Sequence, residues 1–229
     1  MRNERWRALP AALTVMALGG IMLAKTATNQ LALYIHPRYN PLMLMSGILL
    51  VAVGLGMLTL RTPPVRPRLV GIMLVPIVVA LLVPARPLGA SLVAGKALSD
   101  TSNDALVSRW QAQLSDDSRT WSLLEWTAAT RGENPDQLAG KQAAFDGFVF
   151  RTDDLAADEV LVGRYVVTCC TADGTALAMR IKAPQAADMK TDEWVRVEGV
   201  YTPDGTSRRP LIVGQLTRIA MPAAPYLYP

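Results

Sequence analysis

The stretch LMLMSGILLVAVGLGMLTL, residues 42–60, contains no charged side chain, and its only polar side chains are Ser46 and Thr59. About 20 apolar residues at 1.5 Å each span a bilayer's hydrocarbon core. A soluble core helix is seldom apolar on every face for that length. Residues 42–60 therefore predict a membrane-spanning helix. Two neighbouring apolar runs extend the reading. One lies roughly at Leu9–Ala24, before it, and one at Leu69–Val83, after it. Both are shorter and reach spanning length only with their flanks, giving expected spans of 8–25, 42–60 and 69–86. Pro76 and Pro84 fall in the third, where neighbouring helices can satisfy a freed carbonyl.

Charge divides along the same line. Met1–Ala85 carries eight basic residues and one acid, Glu4, whereas Arg86–Pro229 carries fifteen basic residues and eighteen acids. The sequence pI near 9.3 therefore reflects helix flanks, and nucleic acid is not an expected partner. Arg2, Arg5 and Arg7 precede the first run, and Arg61, Arg66 and Arg68 lie between the second and third. Only Lys25 and Arg38 lie between the first and second. By the positive-inside rule the N-terminus is cytoplasmic, and three spans place the rest of the chain outside the cell membrane. With only two spans that part would lie inside. A cleaved signal peptide is the alternative reading of the first run, but no small-x-small site ends it before Lys25-Thr26-Ala27.

The loop after the first run reads Tyr34-Ile35-His36-Pro37-Arg38-Tyr39-Asn40-Pro41. Tyr34 and Tyr39 are expected interface anchors. His36, the single histidine, is either an interface residue or a candidate ligand.

Beyond Pro87 the pattern changes. Residues 89–138 read as a linker with short helices. One is expected after Thr101-Ser102-Asn103-Asp104 and another over Trp121–Thr130, burying Leu124 and Trp126. From Lys141 the apolar period becomes two. Strands are expected over Ala144–Phe150, Val160–Cys170, Thr175–Lys182, Trp194–Tyr201 and Leu211–Ile219, with turns at Asp173-Gly174 and Pro203-Asp204-Gly205. Five short strands within residues 139–222 imply a small OB-like barrel, followed by a tail at 223–229. The fold class is thus α+β: about three N-terminal transmembrane helices, then a five-stranded β-barrel domain. The strands lack the basic and aromatic interleaving of a nucleic-acid platform.

Two cysteines stand side by side, Cys169 and Cys170, three residues before Asp173. On a strand their side chains would face opposite ways, so a shared ion requires the strand to break. If it does, Cys169, Cys170 and Asp173, with His36 as a fourth candidate, form a soft-metal ligand set suited to zinc or copper. The alternative is one small buried hydrophobe beside a strand-end thiol. No Ser-His-Asp set avoids His36, and no phosphate loop of the G-x-x-x-x-G-K type occurs, so no enzyme is expected.

The ordered set Tyr34-Ile35-His36-Pro37, Gly140-Lys141, Gly147-Phe148-Val149, Arg164-Tyr165, Cys169-Cys170, Ala172-Asp173, Trp194-Val195 and Pro225-Tyr226-Leu227-Tyr228 resembles the YcgQ-like family of bacterial membrane proteins. The resemblance implies an accessory subunit that accompanies a larger, multi-spanning predicted permease in the bilayer. It carries over no catalytic residue. The other expected roles are a membrane-tethered metal or redox protein acting through Cys169 and Cys170, and a membrane-anchored structural or sensing module.

Overall fold

The computed structural model describes residues 5–60, 65–93, 114–132, 135–203 and 211–229. The chain divides into two compact units, Met1–Pro87 and Leu88–Pro229. The helix expected after Thr101-Ser102-Asn103-Asp104 lies outside the described residues, as do Asp204 and Gly205 of the expected turn.

The first unit holds α1 (Arg5–Ala27), α2 (Asn40–Thr59) and α3 (Pro67–Leu82). Segments Ala8–Ala27 and Pro37–Thr59 are long and apolar enough to cross a membrane, whereas Pro67–Leu82 is shorter. The third helix stops before residue 86 because Val83 is extended (φ −94°, ψ 110°), the conformation that the following Pro84 imposes. Helices α1 and α2 form an antiparallel hairpin whose seam is built from small residues. Ala8, Ala11 and Ala12 are buried on α1, and Gly47 and Gly54 on α2. A Cβ on Gly19 would lie 2.7 Å from the Gly47 carbonyl oxygen, and one on Gly54 would lie 3.0 Å from that of Ala12. Close backbone approach through small residues is how apolar helices associate where no water drives them together. The seam repeats every seven residues on both helices, at Ala12 and Gly19 and at Gly47 and Gly54.

The second unit is a closed barrel of β1 (Gln142–Phe150), β2 (Glu159–Val166), β3 (Thr175–Lys182), β4 (Trp194–Thr202) and β5 (Leu211–Arg218). Its order is β1-β2-β3-β5-β4, returning to β1. All pairs are antiparallel except β3–β5, in register at Ile181 and Ile212. This is the five-stranded OB-like barrel expected from the alternating pattern. The alternation sorts side chains into two cores. Phe145, Val149, Val160, Val162, Met179, Ile181, Val195, Val197 and Ile212 fill one. Phe148, Phe150, Leu161, Tyr165 and Trp194 form the other, on the opposite strand faces.

The expected helix near Trp121–Thr130 runs Leu123–Gly132. A capping box starts it: Ser122 N–H donates to Glu125 Oε2 at 2.6 Å and Glu125 N–H to Ser122 Oγ at 3.4 Å. The helix inserts Leu124 and Trp126 into the first core, where Trp126 stacks on Tyr201 with ring centroids 5.9 Å apart. Fully burying such a side chain contributes roughly 1.5–3 kcal/mol.

Residues after β5 extend both cores. Leu227 forms a parallel bridge to Val166 and packs against the first core, and Tyr226 is buried in the second with Trp194 and Tyr165. Arg164 Nε donates to the Pro225 carbonyl at 3.2 Å, and the Leu88 N–H donates to Tyr226 Oη at 2.9 Å.

Candidate functional site

The cysteines lie on the loop between β2 and β3, not on β2. The strand expected to run through Cys170 ends at Val166. Three groups end its ladder. Val167 N–H donates to the Leu227 carbonyl at 3.0 Å. Thr168 N–H then donates to Asp173 Oδ1 at 3.0 Å, and Cys169 N–H to Asp173 Oδ2 at 2.7 Å. Residues Thr171–Asp173 close a 3-10 turn in which the Asp173 N–H meets the Cys170 carbonyl at 3.0 Å. Asp173-Gly174, expected as a hairpin turn, is the end of this 3-10 turn: the Asp173 carboxylate reaches back to hold the loop's backbone. Gly174 is buried, and a Cβ there would lie 2.9 Å from Leu88 Cδ1.

The break brings the two side chains together. Cys169 Sγ and Cys170 Sγ are 3.6 Å apart, and both are free thiols. With a carboxylate oxygen of Asp173, the ligand atoms of the trio all lie within 4.8 Å of one another. Cys169 and Asp173 are exposed and Cys170 is half-buried. No other group of this kind occurs among the described residues. Carboxylate and thiol perturb each other. The Asp173 carboxylate, and next the neighbouring Cys170, push the Cys169 thiol up to about 11. Desolvation alone would raise the Asp173 carboxyl, but the Cys169 thiol and the N–H groups of Cys169, Thr168 and Cys170 hold it below its ordinary value. This is the expected sign for a carboxylate cradled by backbone amides.

The remaining candidates belong to the first unit. His36 precedes the Pro37–Tyr39 turn, and its Nδ1 accepts the Arg38 N–H at 3.0 Å, a capping role. Its ring meets Tyr39 edge-on at 6.5 Å, and the Arg38 guanidinium lies 5.1 Å from the Tyr39 centroid. Tyr34 is exposed. The sequence reading missed the reach of Asp173 back to residues 168 and 169. The signal was present as an acid three residues after Cys170, but it reads equally as a turn residue.

Comparison with known proteins adds two findings. The family described as "DUF1980 C-terminal domain" matches residues 124–229. UPF0703 protein YcgQ of Bacillus subtilis (strain 168) is 26% identical over 99 residues, covering 41% of this chain and 35% of that protein. The match thus spans little more than a third of that relative's length.

Proposed function

We propose that this chain, which belongs to the YcgQ-like family through its C-terminal domain, is a membrane-anchored accessory subunit of a two-component permease. In this reading α1–α3 lie in the bilayer and dock a multi-spanning partner. The barrel stands on the extracytoplasmic side, as the arginines before α1 and between α2 and α3 favour.

The observation that carries the reading is the outer surface of α2 and α3. Met45, Leu49, Ile72 and Leu82 are 68%, 64%, 66% and 75% exposed. The hydroxyls of Ser46 and Thr59 are turned back onto the Leu42 and Leu55 carbonyls of their own helix. Soluble monomers rarely expose contiguous apolar patches beyond a few hundred Å², so this surface suits lipid and another apolar helix bundle. The small-residue seam is already used between α1 and α2. No ionisable side chain interrupts the apolar runs to line an ion path, which favours an accessory role over a transporter in its own right. No catalytic step is assigned to the chain.

The test is purification of tagged protein in gentle detergent from its native host, with mass spectrometry of co-purifying proteins. Recovery of one multi-spanning permease in near-equal amount supports the reading. Recovery of the chain without any membrane partner overturns it.

A further inference from the structure

We infer that Cys169, Cys170 and Asp173 form an exchangeable site for a thiophilic divalent cation of tetrahedral preference, with Zn(II) as its type. The inference does not rest on the permease reading, and either can fail without the other.

The geometry selects the ion. Two thiolates bound to one ion at about 2.3 Å each, with their sulfurs at the observed 3.6 Å, subtend about 103° at it, close to the tetrahedral angle. A linear two-thiolate ion would hold its sulfurs about twice the bond length apart, well beyond this separation. Little rearrangement of the pair is therefore needed for a tetrahedral ion. The third ligand is positioned too. Asp173 Oδ1 accepts the Thr168 N–H and Oδ2 the Cys169 N–H. With the Cys170 N–H also directed at the carboxylate, three of its roughly four lone-pair sites are taken by backbone, and the one that faces the Cys169 thiol is open to an ion once that thiol gives up its proton. The Thr168 and Cys169 amides thus act as the outer hydrogen bonds that orient a metal-binding carboxylate. Three protein ligands on an exposed loop are the pattern of a site with a solvent position, through which an ion enters and leaves, and not of a closed four-ligand structural site. Binding exchanges two thiol protons, released to solvent, for two metal–sulfur bonds, with no change in oxidation state.

The test uses the full chain in detergent micelles, metal-stripped and reduced. Zn(II) is titrated against a chromophoric chelator, and Co(II) is then substituted. The expected result is one ion per chain, with a thiolate-to-cobalt absorption band in the near ultraviolet. Cys169→Ser and Cys170→Ser should each at least halve the band and weaken Zn(II) by more than about 100-fold, and the double variant should abolish the band. Asp173→Asn should retain the band and weaken Zn(II) by at least about 10–100-fold, the range for losing an outer hydrogen-bond partner of a ligand, since here a ligand itself is lost. Thermal melts show that each variant remains folded. Absence of Zn(II) binding at micromolar concentration overturns the inference. So does equal binding by a folded Cys169→Ser/Cys170→Ser chain, or Cu(I) binding with no cobalt band.

Discussion

Replacing Asp173 by Asn should make Cys169 a faster nucleophile, because the carboxylate that it removes bears directly on the thiol. The carboxylate is the largest influence that pushes the Cys169 thiol up to about 11 from an ordinary value of 9.0. A neutral amide keeps an acceptor for one of the two backbone N–H groups but removes the negative charge. The thiolate fraction at neutral pH rises about tenfold for each decade of displacement removed, with roughly 100-fold as the upper bound because Cys170 and desolvation supply part of the displacement. Intrinsic nucleophilicity falls as the thiol becomes more acidic, with a Brønsted slope of about 0.4–0.5, which returns roughly 6–10-fold. The net expectation is alkylation faster by up to about 10-fold. The assay is timed reaction with a maleimide from pH 6 to 10, in a Cys170→Ser background with chelator present. The midpoint of the pH–rate profile should move down in Asp173→Asn. An unchanged midpoint, or a slower reaction across the range, would refute the coupling between carboxylate and thiol.

Where β4 and β5 cross, Gly199 pairs with Gly214, and a Cβ on Gly199 would lie 2.6 Å from the Val213 carbonyl oxygen. Gly199→Ala should therefore destabilise the barrel by about 1–3 kcal/mol, the usual range for overpacking, read as a lower urea midpoint. Tyr226→Ala removes a buried aromatic from the second core and should cost about 3–5 kcal/mol, with faster proteolysis after β5. Tyr226→Phe keeps the ring but loses the acceptor of the Leu88 N–H and should cost about 1 kcal/mol. The Lys190 N–H, and after burial's opposing effect Arg218, hold the Glu193 carboxyl below its ordinary value. A depressed folded pKa stabilises above the unfolded value and is lost as pH falls through the folded one. The melting temperature should therefore drop on acidification below about pH 4, and Glu193→Gln should flatten part of that drop.

The barrel was legible because its strands repeat a two-residue pattern long enough to outweigh local propensity. Leu177, Met179 and Ile181 alternate along the expected strand Thr175–Lys182, and they share the first core. The apolar character of α2 was equally plain. The end of β2 was not. Val167, Thr168 and Cys169 carry no break signal of their own, since Val and Thr are favoured in strands. The strand stops because Leu227, sixty residues away in the chain, takes the Val167 N–H, and because Asp173 captures the next two. Both causes are tertiary, so a local reading carries the strand through Cys170. The seam between α1 and α2 was visible in principle as small residues seven apart, but it was overlooked because hydropathy weighs Ala and Gly little.

The same carboxylate serves the loop in two states. Without an ion, Asp173 fixes the backbone and keeps Cys169 protonated. An exposed thiol in that condition is a poor target for oxidants, because the thiolate is the reactive form. A divalent ion reverses the balance, since its charge favours both thiolates and turns the Asp173 charge from a repulsive neighbour into a ligand. Cys169 is then held in its unreactive form when the loop is empty, and the ion is what draws it into the thiolate form. This argues against Cys169 as the attacking thiol of a redox pair, which needs an accessible thiolate at rest. It is also why the Asp173→Asn variant separates the two chemistries: it should raise the alkylation rate of Cys169 while lowering affinity for Zn(II). A redox site would show the two moving together, because its carboxylate would serve only to tune the thiol.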